Sequence, residues 1–241
     1  MIYHFTQQNK TASYVFEPYY LSGWQAVAWD MWGGVTRSNN YNQANLTTNN
    51  SAFNPMDDDW VSVQFQNTFT QPANAWAWSI NGYNTKVEIG VTCSLSESSG
   101  AAINYATLYM VLENQMNGHK LWVQGSVYDE RGAMDDVFYF DPLTGDAAYS
   151  FSIGSSDYIT TEVDSNVVQS GLYSEKWFGY DVTRQDLHDM LAGMNQALGT
   201  NETTEAGWWF VKSAGINPEI GLADLGGSMV FSEHDLFLRS V

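Results

Sequence analysis

Stretches in which apolar and polar residues alternate recur along most of this chain. The clearest is KVEIGVTCSL at residues 86–95. Its apolar positions are Val87, Ile89, Val91, Cys93 and Leu95. Neighbouring side chains of a β-strand point to opposite faces, so this period of two predicts a strand that buries one face. WVSVQFQNTF (60–69) predicts a second strand, and ATLYMVLEN and KLWVQGSVYD, joined by QMNGH, predict a hairpin.

Further strands are predicted wherever β-branched and aromatic residues cluster between turn residues. These segments are ASYVFEPYY, WQAVAWDMW, DVFYFD, AAYSFSIGS, DYITTEV, GWWFVKSAG, EIGLADLG and SMVFSEHDLFLRSV. Gly, Asn, Asp and Pro punctuate them, so DPLTGD and INPEIG are expected to be turns. The Asn-rich stretch at residues 37–55 is expected to be a long surface loop that could act as a lid.

One segment, residues 183–200, breaks the period of two. Its apolar residues have helical spacing, Thr183 with Asp186 three residues later has the form of a capping box, and Gly199 suits a C-terminal cap. The spaced residues are Leu187, Met190, Leu191, Met194 and Leu198. About a dozen strands and one short helix predict an all-β fold. We expect a two-sheet antiparallel β-sandwich of jelly-roll or concanavalin-like type, formed as a single domain over residues 1–241.

Composition restricts the partners that the chain can have. With 27 acidic and 9 basic residues the formal net charge is −18, which repels phosphate backbones and anionic lipid surfaces. Nucleic acid and membranes are therefore not expected partners. No apolar run is long enough for a membrane span, and no typical signal peptide leads the sequence. The oligomeric state cannot be read from the sequence.

The single cysteine and the sequons bear on the cellular compartment. Cys93 alternates in phase with apolar neighbours, so it is expected to be a buried small residue rather than a nucleophile. Asn-x-Ser/Thr sequons occur at Asn9, Asn45, Asn49 and Asn201, in polar sequence typical of loops. We expect a secreted glycoprotein, although an Asn-rich chain also produces sequons by chance.

Strand alternation predicts a second aromatic face, away from the core. If Leu108 and Met110 enter the core, Tyr105 and Tyr109 point the other way, as do Trp122, Gln124 and Tyr128 of the next strand. In EAGWWFVKSAG, Trp209 is expected in the core, with Trp208, Phe210 and Lys212 on the opposite side. Rings mixed with a few hydrogen-bonding groups are typical of ligand pockets. The alternative is that these rings are covered and form a minor second core.

The sequence lacks the usual catalytic and metal-binding patterns. Glycosidases need two carboxylates across the scissile bond, and Glu17, Asp30, Glu88 and Glu113 are isolated on their predicted strands. The four histidines have no zinc-ligand spacing, so no metal site or cofactor is expected. The acidic segments MDDDW (56–60) and YDERGAMDD (128–136) leave a structural calcium site possible.

Two segments resemble the fungal glutamic peptidases, which are also jelly rolls. GLADLGGSMVFSE is similar to their closing strand, and EAGWWFVK is similar to the strand that bears their catalytic glutamate. Aligned on Trp209, that glutamate position holds Trp208, and Glu205 is out of phase. The resemblance covers about thirty residues and supports the fold more than the activity.

By overall type the chain resembles the fungal hetero-Diels–Alderases of tropolone sesquiterpenoid pathways. The shared features are length, predicted β content, sequons, acidity and an aromatic face without a carboxylate pair. The resemblance implies a cofactor-free cyclisation of a hydrophobic, ring-containing substrate that is held in a reactive pose. Tyr109, Gln124 and Lys212 would then be the catalytic donors. The binding walls would be Tyr105, Trp122, Tyr128, Trp208 and Phe210.

Two other functions are compatible with the same face. Carbohydrates also stack on Trp and Tyr, so a carbohydrate-binding or carbohydrate-cleaving jelly roll is the first alternative. A non-catalytic interaction module is the second. An aromatic cavity would favour the cyclase, an open groove would favour carbohydrate, and the absence of a cavity would favour the module.

Overall fold

The computed structural model describes residues 2–4, 11–17, 35–37, 42–47, 60–68, 86–101, 103–141, 144–159, 172–221 and 227–240. Within these ranges the chain forms thirteen strands. They are β1 (Ile2–His4), β2 (Thr11–Glu17), β3 (Val35–Arg37), β4 (Asn42–Thr47), β5 (Trp60–Thr68), β6 (Lys86–Gly100), β7 (Ile103–Asn114), β8 (Lys120–Asp129), β9 (Val137–Phe140), β10 (Ala147–Ser152), β11 (Tyr173–Thr183), β12 (Trp209–Gly221) and β13 (Gly227–Ser240). The same ranges contain one α-helix, α1 (Arg184–Leu198), which connects β11 to the segment before β12.

The strands form two sheets that pack face to face. Six strands form one sheet in the order β11-β6-β13-β4-β3, with β1 paired to β13, and seven form the other in the order β2-β5-β12-β7-β8-β10-β9. Neighbouring strands are antiparallel except β8 and β10, which are parallel. The all-β sandwich expected from the sequence is thus confirmed. One of its sheets is mixed rather than purely antiparallel, because β8 and β10 are parallel.

The core lies between the sheets and is built from alternate residues of each strand. Val87, Ile89 and Val91 of β6 face Leu108 and Met110 of β7 across it, and all five are 0% exposed. Burying such side chains is the main favourable term in folding. Cys93 is buried in the same row, and burial raises the pKa of its thiol to about 12. It is an inert core residue, as its phase predicted.

A tyrosine hydroxyl joins the two sheets within this core. Tyr180 of β11 donates its hydroxyl hydrogen to the carbonyl oxygen of Val123 in β8 at 2.9 Å, and the carbonyl oxygen of Leu108 in β7 lies 3.3 Å away. A buried hydroxyl without a partner is costly, so this bond fixes the position of β11 over the β7–β8 hairpin. The hairpin forms where it was predicted, with its turn at residues 115–119, but its first strand begins earlier than predicted, at Ile103.

The helix begins and ends where the sequence indicated. The Thr183 side chain accepts a hydrogen bond from the Asp186 backbone, the Asp186 carboxylate accepts one from the Thr183 backbone, and Gly199 ends the helix with φ of 67°. A left-handed residue at this position favours glycine. The apolar stripe of α1 packs on the core through Leu187, Met190, Leu191 and Met194, and Leu198 is partly buried.

Three predicted loops or strands differ from the structure. INPEIG is not a turn: Pro218 lies inside β12, opposite Ala106 of β7, and the strand continues to Gly221. The Asn-rich stretch is not loop throughout, because residues 42–47 form β4 and pair with β13, which also places the Asn45 sequon in a strand. Residues 157–159 of DYITTEV are not extended in a strand. The predicted strand WQAVAWDMW lies outside the described residues.

Among the described helices, none has the length and apolarity needed to span a membrane.

We expect Tyr180→Phe to lower the free energy of unfolding by about 1 kcal/mol, the usual net contribution of a buried hydrogen bond. Urea unfolding followed by tryptophan fluorescence measures this difference. Tyr158→Phe is the matched control, because the Tyr158 ring packs on the core while its hydroxyl makes no hydrogen bond with a described residue. Equal effects of the two substitutions would show that the Tyr180 hydroxyl does not join the sheets.

Candidate functional site

The outer face of the seven-stranded sheet, away from the core, carries aromatic and polar side chains. Alternation along β7 turns Tyr105, Thr107 and Tyr109 to this face while Leu108 and Met110 enter the core. Other strands of the sheet contribute further side chains to the same face. We call the set the polar-aromatic face, and it comprises Tyr105, Tyr109, Trp122, Gln124, Tyr139, Asn217 and Glu219.

Gln124 lies at the centre of this face, opposite Tyr109 of β7 and Ser150 of β10. Its side-chain oxygen accepts hydrogen bonds from the Tyr139 hydroxyl at 3.3 Å and from the Ser150 hydroxyl at 3.2 Å. These bonds orient the amide, and its Nε2 donates to no residue in the described ranges. An oriented amide with two hydrogens to donate is a suitable ligand contact.

Two rings lie next to this amide. The rings of Tyr109 and Trp122 are 5.3 Å apart at their centroids with an interplanar angle of 36°, a favourable arrangement for aromatic pairs. The Trp122 indole Nε1 donates to the Asp146 carboxylate at 3.4 Å. Trp122 is therefore held from its far end while its ring is partly exposed.

A carboxylate that was not selected from the sequence, Glu219, belongs to the face. It lies opposite Tyr105, is 8% exposed, accepts a hydrogen bond from the Asn217 amide at 2.9 Å and is also hydrogen-bonded to Tyr105. Burial raises the pKa of Tyr105, Tyr109 and Tyr139, and the negative charge of Glu219 raises each further. These phenols remain protonated and can donate hydrogen bonds.

The strand around Glu219 is irregular on one side. β12 keeps its register with β7 through Asn217, Pro218 and Glu219, but its ladder to β5 pairs Ile216 with Phe65 and then Glu219 with Ser62, without partners at 217 and 218. Proline has no N–H to donate, which explains the gap. The side-chain oxygen of Asn217, at this gap, is buried and accepts no hydrogen bond from the part of the chain that is described.

A second carboxylate, Asp129, lies in the same row but is already paired. Asp129 is opposite Tyr105, is 0% exposed and binds Arg131 through two bonds, Nε to Oδ1 at 2.8 Å and Nη2 to Oδ2 at 2.5 Å. The Arg131 guanidinium also lies 5.8 Å from the centre of the Tyr105 ring. Asp129 is thus neutralised in a bidentate pair and unsuited to a reaction with a ligand.

The structure places half of the predicted site residues together. Tyr105, Tyr109, Trp122 and Gln124 share the polar-aromatic face, as predicted. Phe210 and Lys212 lie at its far end, where the Lys212 amine is 3.5 Å from the Glu113 carboxylate. Lys212, the third predicted donor, therefore lies away from Tyr109 and Gln124, which are cross-strand neighbours.

Two of the predicted ligand-binding residues do not lie on the outer face of the sheet, where the sequence placed them. Tyr128 faces the core and its hydroxyl donates to Ser98 at 3.1 Å, because a bulge between Ala106 and Thr107 of the β7–β8 ladder shifts the phase of β8. Trp208 lies in a 3₁₀ turn, Ala206–Trp208, before β12 begins, and is 39% exposed there. Trp209 is buried in the core, as predicted.

A cavity of about 320 Å³ lies at the end of the same sheet, beside the segment that follows α1. It is lined by His119, Lys120, Phe140, Gly145, Asp146, Ala147, Met194, Thr200, Asn201 and Glu202. The Glu202 carboxylate accepts hydrogen bonds from Asn114, Asn117 and His119 at 2.9, 3.0 and 2.6 Å. It ties the post-helix segment to the β7–β8 turn.

The predicted calcium site receives no support from the residues that can be described. Within the described part of the chain there is no group of three His, Cys, Asp or Glu side chains that could hold a metal ion. In the acidic segment 128–136, Asp129 binds Arg131 and Asp136 accepts a hydrogen bond from Tyr149. Residues 56–59 of MDDDW lie outside the described ranges.

Comparisons with known proteins add little to this geometry. No protein family model matches the chain, and no curated protein matches it. Among solved structures, a family 11 xylanase from Neocallimastix patriciarum has 10% identity and a TM-score of 0.46, covering 100% of this chain and 95% of the other. A family 12 xyloglucanase from Bacillus licheniformis has 11% identity and a TM-score of 0.38, covering 95% and 100%. At these identities and TM-scores the likeness carries no argument about activity.

The Glu202 contacts predict a pH dependence of stability. Burial acts to raise the pKa of Glu202, but the hydrogen bonds from Asn117, His119 and Asn114 outweigh it and lower the pKa. A carboxylate with a lowered pKa stabilises the fold fully above its unfolded pKa, about 4.3 for glutamate, and loses that contribution as the pH falls through the folded pKa. We expect the stability difference between the protein and Glu202→Gln to narrow from about pH 6 to about pH 3.

Urea unfolding at several pH values measures this difference. Glu205→Gln is the matched control, because Glu205 is exposed and its side chain makes no hydrogen bond with a described residue. If the stability difference between the protein and Glu202→Gln stays constant with pH, the Glu202 hydrogen bonds do not stabilise the fold as proposed.

Proposed function

We propose that the protein binds a neutral carbohydrate on the polar-aromatic face. The observation that supports this most is the arrangement around Gln124, whose Nε2 donates to no described residue and lies beside the partly exposed Trp122 ring, which packs on the buried ring of Tyr109. A sugar ring has an apolar face that can stack on an aromatic ring and hydroxyl groups that need directed hydrogen bonds. Both requirements are met within a few residues of one another.

The polar groups of the face favour a hydroxyl-rich ligand over an apolar one. Glu219 and the side-chain oxygen of Asn217 are acceptors, whereas the Gln124 amide nitrogen is a donor that makes no hydrogen bond with a described residue. Sugar hydroxyls both donate and accept, so they can satisfy such a mixed set. An apolar ligand that covered these groups would remove water from them without replacing its hydrogen bonds, which is unfavourable.

The arrangement supports binding more than cleavage. A glycosidase needs two carboxyl groups roughly 5 to 10 Å apart, one on each side of the bond that breaks. In the described part of the face, the carboxylate nearest to Glu219 along the cross-strand direction is Asp129, with Tyr105 between them. Asp129 is already bound by Arg131. We therefore propose a carbohydrate-binding protein, and hydrolysis is an additional outcome that the binding experiments can detect.

The cyclisation inferred from overall type stays a prediction. Its donors Tyr109 and Gln124 are neighbours, but Lys212 pairs with Glu113 at the end of the sheet. Of the rings beside these donors, Trp122 is partly exposed and can stack on a hydrophobic ring-containing ligand, whereas Tyr109 is buried. The binding experiment therefore includes terpenoid ligands beside sugars.

We expect a panel of neutral gluco-, xylo-, manno- and galacto-oligosaccharides to contain a ligand that quenches tryptophan fluorescence and binds in calorimetry. Gln124→Ala should weaken this binding roughly tenfold, the equivalent of about 1.4 kcal/mol for a lost hydrogen bond that also positions the ligand. Gln124→Glu keeps the oxygen that accepts from Tyr139 and Ser150 but removes the Nε2 donor, so it should weaken binding without disturbing the face.

Gln185→Ala is the matched control for these variants. Gln185 is exposed on α1 and its amide bonds only Asp189 among the described residues, so binding should be unchanged. Binding of terpenoids alone would move the protein to the cyclase class and justify a turnover assay. Failure of every sugar to bind, with all variants folded, would contradict the carbohydrate proposal.

A further inference from the structure

We propose that the cavity beside Asn201 holds the first N-acetylglucosamine of a glycan attached to Asn201, and that this sugar stabilises the fold. Asn201, Glu202 and Thr203 form a sequon, and Asn201 itself lines the cavity. This site is distinct from the polar-aromatic face, and the inference does not depend on the function proposed for that face.

The Asn201 side chain is in a position to carry a glycan. It is exposed, lies in the irregular segment between α1 and the 3₁₀ turn, and makes no hydrogen bond with any residue of the described ranges. Attachment of a sugar to its amide therefore breaks no described contact. Asn45, by contrast, lies within β4, opposite Val230 of β13.

The backbone around Asn201 is fixed by its neighbours. The Asn195 side chain accepts hydrogen bonds from the Thr200 hydroxyl at 2.7 Å and the Glu202 backbone at 2.8 Å, and it donates to the Glu202 carbonyl at 2.8 Å. The Glu202 carboxylate is held in turn by the β7–β8 turn. A fixed attachment point lowers the entropy lost when the sugar settles into the cavity.

The lining of the cavity suits an N-acetylhexosamine ring. Phe140 is 49% exposed and offers a surface on which the apolar face of a sugar can stack. Lys120, Asp146 and Thr200 supply hydrogen-bonding groups around it. The cavity volume of about 320 Å³ lies at the lower end of the range found for small-molecule sites, so it is suited to one ring rather than a chain of several.

The test uses the full chain expressed through a eukaryotic secretory pathway that attaches high-mannose glycans. Glycopeptide mass spectrometry should find Asn201 occupied. Endoglycosidase H leaves one N-acetylglucosamine on each asparagine, whereas peptide N-glycosidase F hydrolyses the side-chain amide, releases the whole glycan and leaves aspartate in place of the asparagine. We expect the singly glycosylated form to retain the Tm of the fully glycosylated form and to melt about 2–4 °C above the fully deglycosylated one.

Two variants assign this shift to the cavity. Asn201→Gln should abolish the Tm difference that belongs to this sequon while leaving any contribution of the other sequons, and Phe140→Ala should abolish it without changing occupancy of Asn201. Leu172→Ala, which removes a side chain of similar exposure, is the control and should leave the difference unchanged. An unoccupied Asn201, a Tm that does not depend on the first sugar, or a shift that persists in Phe140→Ala would each overturn the proposal.

Discussion

The phase of β7 determines which side chains of this protein can meet a ligand. Its even positions, such as Leu108 and Met110, close the core against β6, and its odd positions form the centre of the polar-aromatic face. A slip of one residue would exchange the two sets, so the apolar core and the polar face stabilise the same register. The Tyr180 hydroxyl, bound to the β8 backbone from the opposite sheet, adds a directional contact to that constraint.

Burial of a carboxylate beside tyrosines shapes the chemistry of the face. Glu219 is 8% exposed, and its charge together with burial keeps Tyr105, Tyr109 and Tyr139 protonated. Hydroxyl donors, an amide donor and a carboxylate acceptor are thereby held on one side of a sheet. The Gln124 Nε2 and the Asn217 side-chain oxygen have no partner among the described residues and must be satisfied by water or by a polar ligand, since an unpaired buried polar group is costly. This requirement, more than the number of aromatic rings, distinguishes a sugar from a terpenoid.

The fold could be predicted from the sequence because alternation is a local signal, whereas the site depends on irregularities that are not local. The strands β5 to β8, the helix and the core positions of Cys93 and Trp209 follow from periodicity alone. Tyr128 was placed on the wrong face because a bulge in β8 cannot be seen in its residues. Glu219 was missed because Pro218 indicated a turn, although Asn217 and Glu219 continue the phase of Ser213 and Gly215. That continued alternation through the proline was the signal that could have found it.

The distribution of the few basic residues further restricts the ligand. On the seven-stranded sheet Lys120 lies near Asp146, Arg131 binds Asp129, and Lys212 lies near Glu113. On the other sheet Lys86 and Arg239 pair with Asp181 and Glu88. A negatively charged ligand would be repelled by the net charge of −18, and these five cations already contact carboxylates. A neutral ligand avoids that repulsion, and a polyhydroxylated one also uses the donors and acceptors of the face.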